Sequence, residues 1–218
     1  MLSMYRGLLL VCFGVATMTL AAVASHAEDQ AATGDDAPRY TADGKLIFPE
    51  EYRGWIWLSS GLGMSYNPSA KPNDAPNFTN VFVKAAAYRA FVQTGHWPDK
   101  VVFVLEQRRS TSHGSINKGG RYQTDLVGYD VEVRDDERFP EHWRFFGFGQ
   151  VAQPMQPGTG IPKTAACFQC HSRNGAVENT FVQFYPTLLE IAKQKGTLRP
   201  SYLQAEAAAT AEPTPTGP

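Results

Sequence analysis

Cys167-Phe-Gln-Cys170-His171 constrains this chain of 218 residues more than any other feature. A fold that carries it must present two thiols on one helical turn, with an imidazole beside them, near the C-terminal end. In that arrangement each cysteine can form a thioether with a haem vinyl group, and His171 is then placed over one face of the ring to ligate iron. A redox-active dithiol, a structural disulfide and half of a zinc site share the two cysteines. Zinc normally takes four protein ligands, and the only other cysteine, Cys12, lies in an apolar N-terminal run. A dithiol enzyme does not need the adjoining histidine, and the surrounding residues do not resemble the strand-to-helix opening of a thioredoxin fold. The expectation is one covalent haem c, held by Cys167 and Cys170 with iron on His171.

The two ends read as separate from the fold. Arg6 precedes an apolar run from Leu8 to Ala24, and Ser25 and Ala27 stand before Glu28. This is the pattern of a secretory signal peptide, residues 1–27, cleaved after Ala27. The alternative is a membrane anchor of marginal length, since roughly 20 apolar residues are needed to span a bilayer. No lipoprotein-type cleavage signature precedes Cys12. Residues 28–44 read as a flexible leader, and 201–218, rich in Ala, Thr and Pro, as a disordered tail. Removing the first segment leaves 19 basic against 21 acidic residues, a formal charge of −2. The expected location is the periplasm, without stable membrane insertion after cleavage.

Between 45 and 200 the chain reads as a single haem-binding domain. A content of 43% hydrophobic and 12% aromatic residues excludes an intrinsically disordered chain, and the near-balance of charge argues against nucleic acid as a partner. Short runs rich in β-branched and aromatic residues, bounded by Gly, Pro or Asn, predict strands at 55–59, 78–83, 101–108, 121–133 with a break near Gly128, and 143–149. Ala-rich Lys84 to Gln93, closed by Gly95, predicts a helix, as does Pro186 to Lys195, closed by Gly196. The fold class is therefore α+β, mainly antiparallel sheet with a few helices.

No Met and no His follows His171. The small all-helical electron carriers, which carry the motif early and take a downstream Met as second axial ligand, are a poor match. A four-helix bundle does not suit the strand-rich middle. A sixth ligand would have to come from Met64, Met155, His96, His113 or His142, each of which has an ordinary loop or turn reading. Five-coordinate iron with one open face is preferred, and an open face admits a small molecule.

The motif and the following Asn179-Thr-Phe-Val-Gln-Phe-Tyr-Pro-Thr-Leu188 resemble the cytochrome P-460 family and its relative cytochrome c′-beta. The likeness extends over Tyr52-Arg-Gly-Trp55, Asn80-Val-Phe-Val83, Ala87-Tyr-Arg-Ala-Phe91, Thr94-Gly-His-Trp-Pro98, Ser115-Ile-Asn-Lys-Gly119 and Arg138-Phe139 with Trp143. It implies a largely antiparallel β domain, often a homodimer, with one c-type haem, a proximal histidine and a pocket on the other side. Members called cytochrome P-460 oxidise hydroxylamine and nitric oxide and carry an extra bond from a lysine amine to the haem edge. Cytochrome c′-beta members lack that bond and bind nitric oxide or carbon monoxide in an aromatic pocket. A redox partner cytochrome is compatible with either.

Aligned on the Thr94-Gly95 turn, the cross-linking position falls on Leu105, followed by Glu106, and a leucine cannot form the bond. Lys84, Lys100 and Lys118 would need a shifted register or the other strand face. The resemblance places an acidic relay residue over the open face at Asp130. From pattern alone, Val127, Tyr129, Val131 and Val133 alternate with Gly128, Asp130, Glu132 and Arg134, which reads as a half-buried strand with a wet face. A distal position that is basic in hydroxylamine-oxidising members maps onto Thr79. Trp55 and Trp57, and Phe146 and Phe148, read as core pairs. Phe181, Phe184 and Tyr185 are expected to touch the ring because the chain keeps them near His171, while Phe78, Phe82 and Phe103 compete to cap the iron. The chain thus reads as an exported mono-haem cytochrome that binds or slowly converts nitric oxide or a related small nitrogen ligand. A hydroxylamine-oxidising enzyme, a six-coordinate electron carrier and a haem-free dithiol protein are the rivals.

Overall fold

The computed structural model describes residues 37–66, 69, 71, 75–149 and 155–210. The apolar N-terminal run, its cleavage site, Cys12 and the last eight residues lie outside them.

Six strands form one antiparallel sheet in sequence order: β1 (Ile56–Leu62), β2 (Phe78–Val83), β3 (Val102–Thr111), β4 (Tyr122–Arg134), β5 (Trp143–Gly149) and β6 (Gly160–Ile161). Among the described residues four α-helices accompany it, α1 (Ala85–Thr94), α2 (Ala166–Asn174), α3 (Pro186–Lys195) and α4 (Pro200–Thr210). The expected α+β class is what folds. α1 and α3 stop where a side-chain-free residue can turn left-handed, at Gly95 (φ 77°) and Gly196 (φ 68°). The break expected near Gly128 is a register shift in the β3–β4 pairing, where Gln107 faces Gly128 and Arg108 faces Leu126.

Alternation along the strands separates two cores. Val83, Phe103 and Trp143 point to the helices and pack with Phe91, Trp97, Val182 and Leu188. Val102, Val104, Tyr129, Val131, Val133 and Phe146 point the other way, onto Leu46, Phe48, Tyr52 and Phe139. Apolar burial on both faces is what holds a sheet of this size against conformational entropy.

Several expectations are corrected here. The leader does not extend to 44: Tyr40 bridges Leu46, its ring packs 6.4 Å from both Phe139 and Phe146, and Arg138 lies over it. One aromatic residue in a polar stretch suffices to tie that stretch to the core. The tail is helical through Thr210, since Ala, Gln and Glu favour a helix even where no residue of it is fully buried. Trp57, expected in the core, is 56% exposed on edge strand β1, whereas Trp55, just before the strand and under the Lys84 ammonium, does pack against the second core. Phe146 and Phe148 do belong to the second core. No helix among the described residues is long and apolar enough to cross a membrane.

Candidate functional site

The helix-facing side of the sheet is not uniformly apolar, and strand pairing lays it out in rows. Val83, Phe103, Glu132 and Phe145 form the deepest row, Ser59, Val81, Leu105, Asp130 and Gly147 the next, and Gly61, Thr79 and Gln107 the outermost. Across this surface lies a cavity closed on its other side by His171, Phe181, Phe184 and Tyr185, with Met64 and Tyr66 of the β1–β2 connection at its mouth. Leu105 and Asp130 are cross-strand partners and both line it. Phe103 is the member of its trio on this wall; Phe82 belongs to the opposite core.

His171 arrives on α2, a helix none of whose residues is fully buried. Cys167 is exposed and Cys170 half-buried, while the imidazole turns inward against Phe145 (4.6 Å) and Phe181 (4.2 Å). Its Nδ1 lies 2.8 Å from the carbonyl oxygen of Asn179. Nδ1–H donating to that carbonyl fixes the tautomer and leaves Nε2 with its lone pair for a metal. Burial alone would push the imidazole down; Glu132 and the Asn179 carbonyl outweigh this and raise it.

Two carboxylates share the cavity face of β4. Glu132 Oε2 lies 3.5 Å from His171 Nδ1, and its Oε1 is buried without a hydrogen-bond partner among the described residues. Desolvation raises its carboxyl, against the opposing pull of His171. Asp130 lies higher on the wall, where Gln107 Nε2 donates to its Oδ2 at 2.9 Å. Desolvation raises Asp130 as well, more than the Gln107 bond lowers it. The expected wet face of β4 is corrected at Glu132, which is largely covered beneath α2 and the segment after it, and holds at Asp130, which lines the cavity yet stays exposed to solvent. Alternation identified a polar face but not what covers it.

Of the residues singled out from sequence, His171, Leu105, Asp130, Phe181, Phe184, Tyr185 and Thr79 line the same cavity. Cys167 and Cys170 stand on the helix that delivers His171, and Cys170 is near enough to Tyr66 to help burial raise that phenol. Among the sixth-ligand candidates Met64 lies in the cavity wall, whereas His96 pairs with Glu178, His142 with Asp136, and Met155 packs on the second core. Lys84, Lys100 and Lys118 are not among the lining residues. Sequence reasoning missed Glu132, Gln107 and the Asn179 carbonyl. Glu132 shares the parity of Asp130 on β4, a signal that was present; a backbone acceptor leaves none.

A cavity walled by aromatic and aliphatic side chains, with an imidazole nitrogen placed to ligate, Cys170 beside it and Cys167 one turn earlier on the same helix, has the donor set that a haem requires. The fold and site therefore define a haem-binding domain. The chain belongs to the cytochrome P460 family, whose model matches residues 49–182 and so covers the whole sheet and α2. A comparison with curated proteins found no match to this chain.

Proposed function

We propose that the chain carries one covalent haem c, with thioethers to Cys167 and Cys170 and His171 Nε2 as iron ligand, and that its open face binds or slowly converts nitric oxide or a related small nitrogen ligand. The observation that carries this reading is the pairing of His171, held at Nδ1 by Asn179, with a facing wall that has Leu105 where a cross-linking amine would be needed. Bound haem would supply the coordination position and the one-electron chemistry. The chain supplies the rest. Val81, Phe103 and Leu105 give the cavity an apolar wall, which strengthens the electrostatic interactions beside it. Asp130, its carboxyl raised and its Oδ2 anchored by Gln107, is poised to hold or accept a proton beside a ligand. Thr79 adds a neutral hydroxyl, so the wall is less polar than one with a base at that position.

The pyridine haemochrome spectrum with a reduced-minus-carbon-monoxide difference spectrum tests this directly. Covalent haem c and a clear carbon monoxide response are expected; a colourless protein overturns the reading. The haem peptide should show the mass of two thioether bonds and no third link, with hydroxylamine turnover slow or absent. A second reading, a six-coordinate electron carrier, is favoured by one observation, the place of Met64 in the cavity wall. Sharp low-spin bands unmoved by carbon monoxide would select it. The proposal includes export to the periplasm, a homodimer and a redox partner cytochrome, to be checked by cell fractionation, sedimentation and reduction by candidate donors.

A further inference from the structure

The carbonyl that holds His171 belongs to a turn of unusual construction. The chain folds back so closely at Gly175 that a Cβ there would lie 2.8 Å from the Glu178 carbonyl oxygen and 2.9 Å from that of His171. Glu178 then takes a left-handed backbone, φ 51°, which is unfavourable for a residue with a long side chain. Neighbours hold it there. Arg134 Nη1, from the cavity-facing parity of β4, lies 3.3 Å from Glu178 Oε2 and donates to the Trp97 carbonyl at 2.7 Å. His96 Nδ1 lies 3.2 Å from Glu178 Oε1. Arg199 Nη1 donates to the Glu178 carbonyl at 3.0 Å, and Trp97 Nε1 donates to Thr180 Oγ1 at 2.9 Å. Asn179 sits between these two fixed residues. None of these side chains is among those lining the cavity.

We infer that Arg134 and Glu178, with Arg199, are positioning residues for the proximal histidine: they hold the Asn179 carbonyl on His171 Nδ1 and thereby set how strongly His171 donates to the haem iron. The inference rests on the haem reading above. A stronger Nδ1–H acceptor makes an imidazole a more basic ligand, which favours the oxidised iron and stiffens the iron–histidine bond. If the side-chain tie is cut, Glu178 can relax toward negative φ, and the adjoining peptide swings the Asn179 carbonyl away from the ring.

The test uses haem-loaded protein, with the wild-type pyridine haemochrome measured first. Glu178→Ala removes the ties to Arg134 and His96 together, Arg134→Met removes the Arg134 tie, and Glu178→Gln keeps an acceptor for Arg134. Expected for both disruptive variants are a lower iron–histidine stretching frequency in the reduced protein, a higher reduction potential, and a carbon monoxide dissociation constant changed by about tenfold. Glu178→Gln should stay near wild type in all three. Should Arg134→Met not fold, Glu178→Ala, altered only at a side chain on the turn, decides the matter. Wild-type frequency and potential in a haem-bearing disruptive variant would overturn the clamp and leave the haem reading intact. Absence of haem from the wild type would instead overturn that reading and the clamp with it.

Discussion

Adjacent residues of β3 send their side chains to opposite faces of the sheet, and the two faces treat carboxylates in opposite ways. Glu106, 1% exposed on the second-core side, accepts from Tyr52 Oη (2.6 Å), Asn80 Nδ2 (3.0 Å) and Arg108 Nε (2.8 Å), and Arg53 reaches it as well. Burial would raise this carboxyl, but Arg108, Tyr52 and Asn80 outweigh burial and hold it below the usual range. Across the sheet, Glu132 has a lone long contact to His171, and Asp130 a single amide donor. Both are raised. A buried charge surrounded by donors locks a structure; Glu132, covered and short of donors, is a standing electrostatic cost, tolerated where a group has a task, whereas Asp130 on the same face stays open to solvent. The difference separates a structural network from a site without appeal to any ligand.

That contrast can be broken by experiment. The largest effect is expected from Glu106→Gln, which leaves Arg108 and the Tyr52 hydroxyl without their shared charge: a loss of about 3 kcal/mol in denaturant unfolding. A loss under about 1 kcal/mol would show that the network is not structural. Acid unfolding comes next. Because the folded-state value of Glu106 lies below its unfolded value, its stabilisation is complete above the ordinary carboxylate range and disappears as pH falls through the folded value. Wild-type stability should therefore drop steeply below about pH 4.5, near the unfolded glutamate value, and Glu106→Gln should flatten that limb. Glu132→Gln should behave oppositely to Glu106→Gln, keeping stability within about 1 kcal/mol of wild type or raising it, since a neutral amide is cheaper to bury. The smallest effect is expected for Asp130→Asn, within about 0.5 kcal/mol at neutral pH. Asp130 has its folded-state value raised, so the wild type gains stability as pH falls through that value toward the unfolded one, and the variant should lack this gain. Equal pH profiles for the two proteins would show that solvent at the exposed Asp130 cancels the raising effect of the cavity wall.

Much of the architecture was legible because it rests on local chemistry. β2, β5 and α3 fall at the expected bounds, as β-branched and aromatic runs and a Pro-to-Gly helix frame read directly from residue type. The edges were less legible. Tyr40 gave no sign that it would anchor the chain before β1, and the Ala-rich stretch after Pro200 reads equally as helix or coil when no apolar stripe requires burial. The strand pattern of β4 was read correctly in period and in the exposure of Asp130 but wrongly in the surroundings of Glu132, because periodicity states which residues share a face and is silent on what lies above it.

By itself the sequence determined the α+β class and the helical turn bearing Cys167, Cys170 and His171. These depend on residue identity and short spacing, which act over one or two turns of chain. Only the tertiary structure decided that Glu132 meets His171, that Gln107 steadies Asp130, and that Arg134 grips Glu178 beside the Asn179 carbonyl. Those contacts join residues as many as 44 positions apart. Their partners are set by sheet register and by how one turn folds over α2, neither of which is encoded in any single stretch of residues.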